Sequence, residues 1–384
     1  MVGQSASLER SISPPPARRA RKAHTEQSQR EQVAPVYPDQ QPSQRPSLAA
    51  IEAGQVVIDD HLAYFSIHLQ AAYRDTGTLQ PLLPRLSIRE FADLYRRNLN
   101  PHGHHFVVHQ HDHPISGVHY DLRLQFSQTS TISFAIPYGL PGNAKSSRPN
   151  RMAIETRVHN LWNNLIESAS RATGSLLIWD TGEYEVLAYR EAKKMSTTDD
   201  ESSDPDNIDV LPPSSQNERL FAAFQDKHIR LRLHGRRLPT GYTISLRLPR
   251  NNYQGQVRDP ARKRQKIRRR SVPTPRAEST DSETEDMVEE QLNEDAANAS
   301  DSDEDASIRM NNAYTGATNT IGSVHQRHWF LSLDKKNSAL SEPFFVMGRD
   351  VERSIVTGRT ADDVLNDEGV TRFIGRKMWR PITE

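Results

Sequence analysis

The chain contains no cysteine, which excludes disulfides and thiol chemistry. No apolar run approaches the roughly 20 residues needed to cross a bilayer, and the N-terminus lacks the apolar core of a signal peptide. The expectation is a soluble, intracellular protein without a membrane partner. Aromatics supply 7% and hydrophobic residues 35% of the 384 positions, which is too little apolar material for a chain folded throughout. Three polar tracts account for the shortfall. Residues 1–48 are rich in Gln, Ser, Pro and Arg, residues 194–217 in Ser, Thr and Asp, and residues 251–324 hold a basic run followed by an acidic one. None of them can bury enough surface to offset the entropy of ordering a chain, so all three are expected to be disordered.

The formal charge of zero hides a segregation. Arg262 to Arg270 is a basic block of the kind that directs nuclear import, and thirteen Asp and Glu then fall between Glu278 and Asp305. Nuclear localisation is the expectation.

The folded remainder changes character near residue 100. Ile58, Leu62, Phe65, Leu69 and Tyr73 have helical spacing within residues 49–80. Ser87 and Glu90 form a capping-box pattern ahead of Phe91, Leu94, Tyr95 and Leu99, and Asn100-Pro101 ends that stripe. Short β-like runs follow at 104–110, 118–126, 131–137, 151–158, 174–180, 184–190, 227–234, 241–248 and 328–334, and a short helix is expected around Ala361–Asn366. Closely spaced strands favour a compact barrel or curved sheet over a helix-alternating fold. The expected map is a disordered tail (1–48), a helical segment (49–100), a first part of a mainly β core (101–250), the charged insert (251–324), and a closing strand with a C-terminal extension (325–384).

Seven of the fifteen histidines lie between His102 and His119. Alternate side chains of a strand share a face, so His119, Asp121 and Arg123 point one way, and His109 and His111 share a face upstream. Pro114, Ser116 and Gly117 supply turn chemistry between the two strands. A hairpin would place His111 beside His119 and Asp121, a nitrogen and oxygen donor set suited to Mn, Fe or Zn. Arg123 would follow on the same face as an anion holder. His109 could touch this site from its edge, whereas His102, His104, His105 and His113 read as surface or loop residues.

These residues also carry a resemblance. Phe106-Val-Val-x-x-His111-Asp112 and His119-Tyr120-Asp121-x-Arg123-Leu124 resemble the signature of the 3′-phosphoesterase domain of bacterial DNA ligase D. Ser133 to Gly139, Arg151 to His159, Thr173 to Gly182, His228 to Leu238 and His328 to Leu333 resemble later pieces of that family in the same order, over roughly residues 86–336. The resemblance implies a β-barrel-like core and metal-dependent hydrolysis of a 3′-phosphoester, with Mn²⁺ on His111, His119 and Asp121. It implies Arg123, His159 and Arg151 as catalytic, phosphate-handling residues, and DNA 3′ ends, RNA–DNA junctions and DNA-repair proteins as partners. Where the family has a Lys this chain has Tyr138, and where it has a Tyr, Asn163. Two other readings fit parts of the pattern. One is a nucleic-acid binder that keeps the fold without turnover. The other is an Fe(II), 2-oxoglutarate-type oxygenase, with His119, Asp121 and a distal histidine (159, 228 or 234) as ligands.

Overall fold

A computed structural model describes residues 51, 56, 58–75, 84–187, 215–249, 307–308, 310–338, 340, 342–371, 373–376 and 379–383. The tail 1–48, most of the loop 194–217 and residues 251–306 of the insert lie outside this set. Within it are helices α1 (His61–Ala71), α2 (Ile88–Asn98), α3 (Gln216–Gln225) and α4 (Ala361–Asp367), and a 3-10 turn at Leu161–Leu165. The strands are β1 (His105–His113), β2 (Gly117–Gln125), β3 (Ser130–Ile136), β4 (Asn150–Glu155), β5 (His159–Asn160), β6 (Ser168–Ser170), β7 (Gly174–Val186), β8 (His228–Gly235), β9 (Thr243–Arg247) and β10 (His328–Leu333).

The expected mainly β fold is present as a closed antiparallel barrel. Its strands run β1-β2-β3-β4-β10-β9-β8-β7, and β7 pairs back onto β1. Alternating residues of the strands fill the interior, with the parity changing along β7: Phe106, Tyr120, Leu122, Phe134, Trp179, Tyr184, Leu231, Ile244, Trp329 and Leu331 are each at most 1% exposed. Trp329 donates to Glu155 at 2.9 Å and Trp179 to Glu352 at 2.7 Å, so both buried indole N–H groups are satisfied. The opposite parity faces outward. Over β1 and β7 that outer wall is roofed by a second cluster, in which Phe65, Leu69, Phe91, Leu94, Leu161 and Leu165 cover Val107 and Ile178.

Local sequence explains the roof. Ser87 accepts the Glu90 amide at 3.2 Å while Glu90 accepts the Ser87 amide at 2.9 Å, the capping box expected for α2. Among the described residues of the helical stripe expected within 49–80, Ile51 is helical, and a helix capped by Asp60 runs from His61 to Ala71. The runs 174–180 and 184–190 are parts of one strand, β7, whose register against β1 shifts between Val108 and His109. α3 was not expected; Ser215 and Glu218 complete a capping box at its start, so the ordered chain resumes within the tract assigned to disorder.

Two further readings need correction. His105 is not a surface residue: it is fully buried, accepts from Asn164 at 3.0 Å and contacts Thr181 Oγ1 at 2.9 Å. Thr181 already donates to the Phe106 carbonyl, so the His105 ring donates through Nε2 and is neutral. The insert also ends earlier than residue 324. Asn312, Ala313, Ile321 and Ser323 are buried, with Ile321 in the barrel core, and Val158 bridges to Ala313. Composition missed this stretch because its apolar anchors are few and non-periodic.

Two outcomes follow. Burial pushes the His105 pKa down to about 3. Between roughly pH 6.5 and that value the unfolded chain binds a proton that the folded ring refuses, so stability falls as pH falls. The thermal midpoint should drop from pH 7 to pH 5, and His105→Gln, less stable at pH 7, should show a smaller drop; equal drops would remove His105 from the acid response. Replacing 251–306 with a Gly-Ser linker should leave the midpoint within a few degrees, since loop length costs little. Extending the deletion through residue 324 should lower it clearly, by calorimetry, because a buried Ile is lost.

Candidate metal and phosphate site

The site is built on the outer wall by the β1–β2 hairpin. Its turn is fixed by His113, whose Nδ1 accepts the amides of Ile115 and Ser116 at 3.2 Å each, and by Gly117 at φ +74°. Only glycine enters that conformation readily. The resulting register sets His111 opposite His119, His109 opposite Asp121 and Val107 opposite Arg123. Five chemistry-bearing side chains, His109, His111, His119, Asp121 and Arg123, therefore share one face.

Each candidate imidazole ligand is oriented by a backbone carbonyl. The Thr173 carbonyl lies 2.7 Å from His111 Nε2, and the Gly117 carbonyl 2.9 Å from His119 Nδ1. A carbonyl only accepts, so each of these nitrogens carries the proton. The other nitrogen of each ring then presents its lone pair towards Asp121, at 3.4 Å for His111 Nδ1 and 3.5 Å for His119 Nε2. Metal-binding imidazoles are commonly prepared in this way. The three donor atoms lie within 4.8 Å of one another, and a divalent ion with bonds near 2.1 Å would hold its donors about 3–3.5 Å apart. The residues fit such an ion. Thr173 is held in place by Gly174, at φ +73°, where a Cβ would meet the Asp112 carbonyl oxygen at 1.8 Å.

The electrostatics agree with the geometry. Burial would raise the Asp121 carboxyl, but His119, His111 and Arg123 together hold it well below the usual carboxylate range. Burial lowers His119, against the pull of Asp121. The carboxylate is thus ionised and this imidazole neutral at neutral pH, the protonation that a metal requires.

Arg123 is 3% exposed and donates to the Asn163 carbonyl at 3.2 Å. His159 lines the same cavity, of about 360 Å³, and burial followed by Arg123 pushes its pKa well down. Among the described residues its Nδ1 is buried without a hydrogen-bond partner. His109 is fully buried under this face, with neither ring nitrogen bonded to any described residue, and is held neutral by burial and by Arg123. So His111, His119, Asp121, Arg123 and His159 are brought together.

Arg151 is not. It lies in the same β4 parity as the inward Ala153, opposite the inward Leu331, and donates to the carbonyls of Arg148 and Asn150. The outward residue of that strand at the cavity is Ile154. Tyr138 likewise lies elsewhere, in a cleft with Arg148 and Arg380. His228 and His234 sit on β8, outside the cavity, so neither completes an oxygenase triad. His113 was read as a surface residue but lines the cavity, and burial with its His111 and His119 neighbours brings its pKa down to about 3.

Sequence reasoning missed the opposite wall. Arg157, Tyr314, His325 and Gln326 also line the cavity. The Tyr314 ring lies 4.8 Å from the His159 ring, and the Arg157 guanidinium 5.9 Å from Tyr314. Asn160 donates to the Thr315 carbonyl at 2.9 Å and tethers this segment. Its only local signal is the Tyr and His among small polar residues.

A known family and a known protein resemble this chain. The family model of the DNA Ligase D 3′-phosphoesterase domain matches residues 109–246. Over 99 residues the chain is 31% identical to the multifunctional non-homologous end joining protein LigD of Mycolicibacterium smegmatis, a match that covers 25% of this chain and 12% of that protein. The matched segment holds both strands of the ligand-bearing hairpin from His109 onward, and His159. Over residues 109–246, then, the barrel matches the DNA ligase D 3′-phosphoesterase domain family.

Proposed function

We propose that this protein is a divalent-metal-dependent 3′-phosphoesterase that converts 3′-phosphate ends of DNA to 3′-hydroxyls, in DNA repair and in the nucleus. One observation carries the reading: His111 and His119 each give one nitrogen to a backbone carbonyl and turn the other towards the ionised Asp121, with Arg123 next on the same face. The resemblance implies Mn²⁺ as the ion and adds RNA–DNA junctions and DNA-repair proteins as partners. When bound there, a divalent ion supplies positive charge at a non-bridging phosphate oxygen and favours ionisation of water.

The chain's own residues do the rest. Arg123, already anchored by the Asn163 carbonyl, presents a fork to the remaining phosphate oxygens and offsets the charge that grows as water attacks phosphorus and the bond to the 3′ oxygen breaks. His159, neutral in the substrate-free protein, offers its unpartnered Nδ1 to a proton of substrate or water. Arg151 has no part, because it lies on the other side of the β4 backbone.

The central experiment incubates the purified protein with Mn²⁺ and a primer-template bearing a 3′-phosphate. A hydroxyl end should accumulate. If the end stays phosphorylated while DNA still binds, the fold serves binding alone, a reading to which Tyr138 and Asn163 lend support.

Two substitutions test the parts. Asp121→Ala should lower metal affinity by orders of magnitude in equilibrium dialysis, since it removes the anionic ligand between the two imidazoles; undiminished stoichiometry would exclude the assigned ligands. Arg123→Ala should bind metal like the wild type yet process the 3′-phosphate about 100-fold more slowly or worse. A rate equal to wild type would take Arg123 out of the chemistry.

A further inference from the structure

The barrel's outer wall does not end at the cavity. Ile154 on its rim pairs with Ala135, which pairs with Asp121, and on the other side Ile154 pairs with His328. Two residues along β10, Phe330 stands between Met152 of β4 and Arg247 of β9, and Arg247 pairs with His228 of β8. All of these belong to the outward parity, since Ala153, Leu246, Ile229, Trp329 and Leu331 fill the interior. Among the described residues, no helix roofs the wall here. Phe330 is 49% exposed and Arg247 is exposed, with no ion pair among the described residues.

A single exposed Phe is ordinary on a protein surface. What distinguishes this one is its setting. On the same face lie Arg247, His228, Arg230, Arg232 and, farther along β8, His234, against three acids: Asp334, which pairs with Arg230 at 2.7 Å, Glu185, which pairs with Arg232 at 3.1 Å, and Glu183, opposite His234, which pairs with Arg97 at 2.6 Å. The balance is cationic around Arg247 and Phe330. Cations flanking an aromatic ring on an open sheet match single-stranded nucleic acid, whose bases stack and whose phosphates pair.

We infer that the outer face of β8, β9 and β10 is a binding platform for the single-stranded nucleic acid that leads into the metal cavity, with Phe330 stacking on a base and Arg247 pairing with a phosphate. The inference rests on reading the cavity as the seat of a 3′ end. The spacing suits it: β2 and β10 are three strand intervals apart, about 14 Å, and Phe330 lies four residues along the strands from the row of Arg123, about 13 Å, so a span of roughly 19 Å is within reach of a few nucleotides. A 3′ phosphate held at Arg123 leaves its preceding nucleotides to cross β3 and β4 and meet Phe330. The sequence adds continuity of charge, since Arg250, Arg258 and the 262–270 block follow Arg247 within 23 residues.

The test uses the full chain, a 5′-labelled single-stranded oligonucleotide with a 3′-phosphate, EDTA to prevent turnover, and about 0.2 M salt to screen distant charges. Phe330→Ala should weaken binding roughly 5- to 100-fold, while Phe330→Trp should keep it. Arg247→Glu should weaken binding and make its salt dependence shallower. Arg89→Glu, a charge change on α2, should do neither. With Mn²⁺, the two weakening variants should raise KM for the oligonucleotide and leave turnover of a 3′-mononucleotide, too short to reach the platform, unchanged. Binding within twofold of wild type for both Phe330→Ala and Arg247→Glu would overturn the platform. So would polyglutamate binding that equals the oligonucleotide's and is lost in the same variants, since it would make the partner an acidic peptide. The binding arm needs no turnover, so an inactive cavity and an absent platform give different results.

Discussion

The pairing register of β1 with β2 is the constraint on which the site depends. Side chains alternate across a strand, so a slip of one residue would send His111 and the His109 ring into the barrel and bring Gln110 and Asp112 out. Three things oppose a slip. The His113 ring ties down the turn. Phe106, Val108, Tyr120 and Leu122 are all buried in the interior cluster. The pair is also clamped from both sides, by β7 along β1 and by β3 along β2. The metal ligands thus inherit their positions from a hydrophobic core on the far side of the same two strands.

Much of this was legible in the residues. The period-two pattern from Phe106 to Leu124 and the turn residues between the strands were enough to place His111, His119, Asp121 and Arg123 on one face. The Ser87–Glu90 pattern was enough to place α2. Whether an outer wall is exposed or roofed is a different matter, because α1 and α2 arrive from elsewhere in the chain. His105 shows the limit, for its sequence neighbourhood resembles that of His104, yet it is buried and His104 is not. Tyr314 and His325 were invisible for a related reason. They reach the cavity from more than 150 residues beyond His159, through a stretch whose composition resembles the insert before it. Arg151 is the opposite case. Parity with Ala153 already spoke against its facing the site, and the resemblance outweighed that local signal.

The departures from the family also take on physical meaning. Asn163 supports Arg123 through its backbone carbonyl, while its side chain accepts the Asn160 amide and holds the turn that carries His159. The anchoring of the arginine is therefore insensitive to the side chain at 163. Arg157 and Tyr314 add a cation and an aromatic ring to the mouth of the cavity, along a wall that lies partly outside the matched segment 109–246.

The strand order has a consequence for how the protein is made. β10 lies between β4 and β9 and pairs with both, yet it is 80 residues beyond the end of β9. Until the ribosome has delivered it, the growing barrel has two open edges and the Phe134, Phe224 and Leu246 side chains lack the cover of Trp329. At roughly 5–20 residues per second, the charged insert imposes a wait of several seconds on that half-built state. Open edges of this kind recruit other strands. A highly charged tract is a poor partner for such edges, and a chain stopped within it would lack β10 and leave both edges unpaired.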